Sequence, residues 1–142
     1  MIIYTDGSTK PTNPGPGGFA VIVLDDDENL IETYSNHYDT MVTNNQMEMK
    51  AILYALIKYG KYNPIVYSDS AYAINCFTTW RFGWERNGWL KGDGKVPENL
   101  DLIKFYAELW DKGHRIDLRK VKGHAGTHWN EVADKLARGE EI

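Results

Sequence analysis

The chain opens on a short alternating segment. Residues 2–6, Ile2-Ile3-Tyr4-Thr5-Asp6, read as a strand with Ile2, Tyr4 and Asp6 on one face and Ile3 and Thr5 on the other. A connector follows, Pro11-Thr12-Asn13-Pro14-Gly15-Pro16-Gly17-Gly18, whose prolines and glycines argue against regular structure. The apolar run at 19–24 predicts a second strand, the acidic stretch 25–29 a hairpin tip, and 30–38 the return strand. These three strands make an antiparallel meander.

The pattern then changes to helices alternating with strands. Thr43 or Asn44 can cap a helix over 46–59, with Gly60 as its stop. At about 100° per residue, Gln46, Lys50 and Lys61 fall on one side of it, and Glu48, Ile52, Ala55 and Tyr59 on the other. Residues 64–69 predict a short apolar strand and 71–77 a helical stretch. A tryptophan-rich segment, 80–89, leads through a Gly/Lys loop to a helix at 98–111. A last strand at 114–121 and a closing helix at 127–138 complete the chain. Five strands in this order predict an α/β fold, a mixed sheet with helices on its faces. No repeat, low-complexity tract or linker divides residues 1–142, so one domain is expected.

Glu48 falls on the apolar side of its helix, where a carboxylate is costly unless it is paired, hydrogen-bonded or bound to a cation. The alternative is a helix-start glutamate favoured by the dipole. Asp6 and Asp69 each end a short apolar strand and each precede a small residue, Gly7 or Ser70. If those strands are parallel neighbours, both carboxylates project at the edge where open α/β sheets place ligands. Taken singly, Asp-Gly is an ordinary turn and Asp-Ser an ordinary helix cap. Asp134 sits among Trp129, Val132, Ala133, Leu136 and Ala137, and by local pattern reads as an exposed helix aspartate. His124, between glycines in Lys122-Gly123-His124-Ala125-Gly126, is a candidate acid/base or simply a solvated loop histidine. Four oxygen ligands without a matching His/Cys set point to Mg²⁺ or Mn²⁺ rather than zinc.

Composition changes this picture little. Hydrophobic residues at 42% and charged residues at 25% are average for a globular protein and do not suggest disorder, and no apolar run reaches the ~20 residues of a membrane span. The start lacks the features of a signal peptide, so a cytoplasmic protein is expected. The single cysteine, Cys76, has no partner for a disulfide or a thiolate site and reads as core packing. A net charge of −4 argues against bulk electrostatic binding of nucleic acid. If the four carboxylates sit together, however, they account for that charge, and two divalent cations would cancel it.

Tyr4-Thr5-Asp6-Gly7-Ser8, Asn13-Pro14-Gly15-Pro16-Gly17-Gly18, Thr43-Asn44-Asn45-Gln46-Met47-Glu48, Ser68-Asp69-Ser70 and Val121-Lys122-Gly123-His124-Ala125-Gly126 occur in order, followed by Asn130-Glu131 and Asp134. Together they closely resemble the type 1 ribonuclease H family over nearly the whole chain. The resemblance implies the ribonuclease H-like fold. It also implies an endonuclease that hydrolyses the RNA strand of RNA/DNA hybrids, leaving 5′-phosphate and 3′-hydroxyl ends. In that family the positions of Asp6, Glu48, Asp69 and Asp134 bind two divalent metals about 3.5–4 Å apart, Mg²⁺ or alternatively Mn²⁺. His124 matches an auxiliary mobile histidine. Asn13, Asn44 and Asn45 match positions near the RNA strand, where an amide can read the 2′-hydroxyl. Thr43 matches a residue near a DNA-strand phosphate.

Trp80, Trp84 and Trp89 match the family's protruding substrate handle, although Trp80 and Trp84, one turn apart, serve equally well as packing residues. The handle is weakly basic, with Arg81, Arg86, Lys91 and Lys95 offset by Glu85 and Asp93, which implies modest, salt-sensitive affinity. Ala71 replaces a glutamine that contacts RNA in some members. Only five residues precede Asp6, so no separate hybrid-binding domain is expected. A monomer without an obligate protein partner is expected. The other readings are a non-catalytic hybrid-binding adaptor and a nuclease for another structured nucleic acid.

Overall fold

The computed structural model describes residues 1–121 and 128–140. Their order is β1 (Ile2–Thr9), β2 (Gly15–Leu24), β3 (Leu30–Val42), α1 (Asn44–Tyr59), β4 (Ile65–Ser68), α2 (Ala71–Asn75), α3 (Arg81–Arg86), α4 (Leu100–Asp111), β5 (Asp117–Lys120) and α5 (His128–Ala137). A 3₁₀ turn, Gly60–Tyr62, follows α1, and a π-helical segment, Cys76–Trp80, joins α2 to α3. The sheet order is β3-β2-β1-β4-β5. β1, β2 and β3 pair antiparallel, while β4 lies parallel to both β1 and β5. This is the mixed five-stranded sheet the pattern predicts.

β2 explains why an unbroken apolar run forms a strand here. Phe19, Val21 and Val23 face the larger core, shared with Ile52 and Leu56 of α1, Ala73 of α2 and Ile103, Tyr106 and Leu109 of α4. Ile22 and Leu24 face the opposite side, against Val132 and Ala133 of α5. Both faces are therefore covered, and period-two polarity is not required. β1 divides likewise, with Ile3 in the larger core and Tyr4 in the smaller. Glu48, Ile52, Ala55 and Tyr59 are all buried, as the helical wheel requires. No helix among the described residues is long and apolar enough to cross a membrane.

The structure corrects the reading of the glycines. β2 begins at Gly15, and Gly17 and Gly18 pair with Thr9 and Ser8, so much of the expected irregular connector is strand. Close approach selects glycine there: a Cβ at Gly18 would lie 2.8 Å from both Asn36 O and Ala137 O. α1 does end at Tyr59, yet Gly60 keeps right-handed geometry and is needed because a Cβ would lie 2.8 Å from His114 Cβ. The left-handed residue that turns the chain is Asn63, with φ 49°. Two strands run longer than expected, β1 to Thr9 and β3 to Val42, because the meander continues pairing beyond its apolar stretch, whereas β4 and β5 are shorter than the expected 64–69 and 114–121.

Candidate active site

Parallel pairing of β1 with β4 sets the site. Tyr4 aligns with Tyr67, and the same register carried two residues on sets Asp6, which lies inside β1 rather than at its expected end, level with Asp69, the residue that follows β4. Asp6 is buried and Asp69 exposed. The turn after Asp69 is held by backbone bonds to serines: the Ser70 N–H donates to Ser68 Oγ at 3.1 Å, and the Ala73 N–H donates to Ser70 Oγ at 3.1 Å. Ser70 thereby caps α2, so Asp69 itself is not the cap.

α1 brings the third carboxylate. Its start is fixed by a capping box in which the Gln46 N–H donates to Thr43 Oγ1 at 3.1 Å and the Thr43 N–H donates to Gln46 Oε1 at 3.0 Å. Two residues on, Glu48 is buried against β1, where the Gly7 N–H donates to Oε1 and the Ser68 hydroxyl donates to Oε2 at 3.4 Å. Gly7 is an interior strand residue rather than a turn. A Cβ there would collide with the backbone of Met47 and Glu48 and lie 2.7 Å from Met47 Cβ, so only glycine lets α1 approach this closely.

Carboxylate oxygens of Asp6, Glu48 and Asp69 lie within 4.8 Å of one another. Asp134 comes from α5, on the other face of the sheet, and lines the same open cleft of about 390 Å³ with Ser8, Thr9, Asn44, Asn45 and Ser70. Among the described residues, no lysine or arginine is ion-paired with Asp6, Glu48 or Asp69. Burial first, and then the charges of Asp69 and Asp134, push the Asp6 carboxyl up to about 7, although a hydrogen bond from Glu48 pulls it down. Glu48 is raised well above the usual carboxylate range, by burial and then by Asp6 and Asp69. Buried carboxylates this close need protons or a cation between them. An all-oxygen donor set fits a hard divalent cation.

The remaining predicted residues divide between two places. The Asn44 N–H donates to Asn13 Oδ1 at 3.0 Å, and Asn44 Oδ1 accepts from the Thr9 N–H at 2.8 Å and the Thr9 hydroxyl at 2.9 Å. Asn13, Asn44 and Asn45 thus gather at the cleft's rim beside Thr43. Trp80 and Trp84, with ring centroids 6.0 Å apart, instead line a separate cavity of about 280 Å³ with Tyr72, Lys91, Pro97 and Glu98. Trp84 packs on the core, and Trp80 is exposed. Arg81 does not add to the handle's surface charge, because it is buried. Its Nε–H donates to Phe77 O at 2.6 Å, and its guanidinium lies 4.1 Å from the Phe82 ring and 5.6 Å from Tyr106. His124 lies outside the described residues. Gly7 and Ser68, which hold Glu48, escaped the sequence reading; a glycine inside a strand was the available signal for the first.

Comparison with known proteins agrees with this architecture. The RNase H family model matches residues 1–141. A protein named Ribonuclease H from Syntrophomonas wolfei subsp. wolfei is 44% identical over 141 residues, covering 97% of this chain and 93% of its own. The crystal structure of LC9-RNase H1, a type 1 RNase H with the type 2 active-site motif, is similar with a TM-score of 0.75 and 26% identity, over 99% of this chain and 72% of its own. That of LC11-RNase H1 in complex with RNA/DNA hybrid shares the fold, with a TM-score of 0.70 and 23% identity over 98% and 94% of the two chains. Sheet, cleft and likeness define a nuclease. The chain belongs to the ribonuclease H family.

Proposed function

We propose that this chain is an endonuclease that hydrolyses the RNA strand of RNA/DNA hybrids, leaving 5′-phosphate and 3′-hydroxyl ends. The observation that carries the reading is the convergence of Asp6, Glu48 and Asp69 within 4.8 Å, in a member of the ribonuclease H family. The LC11-RNase H1 structure, solved with an RNA/DNA hybrid, supports the substrate class.

Asp6, Glu48, Asp69 and Asp134 would hold two divalent cations, Mg²⁺ or alternatively Mn²⁺. When bound, such ions favour ionisation of water and offset charge at phosphate. In the reaction a water oxygen bonds to phosphorus as the water gives up a proton, the bond from phosphorus to the ribose O3′ breaks, and O3′ takes up a proton. His124 is assigned the auxiliary proton transfer. Gly7 and Ser68 keep Glu48 aimed at the cleft, so the acidic group is assembled before substrate arrives. Asn13, Asn44 and Asn45 are assigned to the ribose 2′-hydroxyl, Thr43 and the start of α1 to a DNA phosphate, and Trp80 and Trp84 to a second contact with the hybrid.

The test is Mg²⁺-dependent cleavage of a labelled hybrid, set beside double-stranded RNA and DNA of the same sequence. Cutting confined to the RNA strand of the hybrid is expected, and Asp69→Asn should lose at least about 100-fold in rate while staying folded. Binding without cleavage would favour the adaptor reading, and cleavage of the other duplexes would overturn the substrate assignment.

A further inference from the structure

Asp134 differs from the other three carboxylates in having a cationic neighbour. Its Oδ2 lies 3.4 Å from Arg138 Nη2, one turn along α5, and among the described residues no other ion pair reaches a carboxylate of the cleft. Arg138 is itself restrained. α5 ends in a Schellman turn: Gly139 takes φ 83°, its N–H donates to Leu136 O at 3.0 Å, and the Glu140 N–H donates to Lys135 O at 2.9 Å. This folds Glu140 back so that its Oε2 lies 2.8 Å from Arg138 Nε. The guanidinium is thus shared between an acid that faces the cleft and one that does not.

We infer that Arg138 is a positioning residue for Asp134, competing with a divalent cation for its carboxylate, and that Glu140 sets the strength of that competition. The inference rests on the reading of the cleft as a metal site. Removing Arg138 frees Asp134 for the cation. Removing Glu140 leaves Arg138 to Asp134 alone and weakens cation binding. The two changes therefore act in opposite directions. Lys135, exposed on the same helix, carries equal charge but forms no ion pair with Asp134, and it reports the general field.

The experiment is titration of Mn²⁺ alone into the full chain, read as free-ion paramagnetic resonance, with circular dichroism to verify folding. Arg138→Ala should lower the dissociation constant about two- to five-fold, and Glu140→Ala should raise it about two-fold. Both shifts should vanish in an Asp134→Asn background, where the competition no longer exists. A shift in Lys135→Ala as large as in Arg138→Ala would overturn the inference, as would shifts that persist beside Asp134→Asn or no shift at all. Failure of the parent to bind Mn²⁺ would instead sink the metal-site reading, and this inference with it.

Discussion

The carboxylate cleft and the tryptophan cavity place charge in opposite ways. In the cleft, anions are gathered with no basic partner among the described residues for Asp6, Glu48 or Asp69, and backbone geometry holds them there: a parallel register, a helix cap and a glycine too tight for any side chain. At the tryptophan segment, the cation Arg81 is taken inside and the aromatic Trp80 is left exposed. Packing organises that second region, since Arg81 lies between Phe82 and Tyr106, with Trp110 5.9 Å away. The difference teaches that, among the described residues, buried carboxylates are gathered where a cation could relieve them. Elsewhere even a buried cation is matched to aromatic faces.

The largest effect that would sharpen the contrast is at Asp6. Asp6→Asn should reduce hybrid cleavage by at least about 100-fold and yet raise the melting temperature of metal-free protein at neutral pH by about 5 °C. The sign follows from the raised proton affinity. The usual aspartate value is 3.8, and in the fold it is about 7. As pH rises from about 4 to about 7, the unfolded chain releases this proton before the folded one does, so the parent loses stability through that window. Thermal melts between pH 4 and 8 would show parent and variant diverging as pH rises, and Mg²⁺ should narrow the gap. Parallel melting curves would show that burial of Asp6 carries no penalty.

Gly7→Ala tests the backbone arrangement directly. The added methyl must displace α1 from β1, which should cost about 3 kcal/mol in chemical denaturation and reduce cleavage by misplacing Glu48. Full activity with unchanged stability would show that α1 gives way freely. On the other side of the comparison, Arg81→Met should lower stability by about 2 kcal/mol, because the cation–aromatic contacts and the bond to Phe77 O are lost. Mn²⁺ affinity should remain unchanged, and a change would couple the two regions. The smallest effect is at Thr43→Ala, where loss of the α1 cap should cost about 1 kcal/mol by the same denaturation measurement.

How much of this was legible follows from the range of each interaction. The buried stripe of α1, including Glu48, could be read because a helical period is local. The duplicated Asp-small endings of 2–6 and 64–69 suggested a shared edge, and the β1–β4 register supplies it. Gly17 and Gly18 were misread as breakers, and the room that Gly7 and Gly60 make was not read, because glycine looks the same in sequence whether it bends a chain or makes room for a neighbour. Their neighbours here, Met47, Ser8, Asn36 and His114, mostly lie far along the chain. Arg81 was placed on the surface by its charge, and only the aromatic side chains of Phe82, Tyr106 and Trp110 explain its burial.

The sequence by itself determined the mixed α/β order, the apolar stripe carrying Glu48, and the ordered motifs that resemble one nuclease family. The local pattern left Asp134 indistinguishable from a solvated helix residue and only the ordered motifs pointed to it; tertiary structure places it in one cleft with Asp6 and decided that Arg138 stands between it and solvent-facing Glu140. The physical reason is that charge energies depend on distances between groups far apart in the chain. Period and propensity report only on groups a few residues apart.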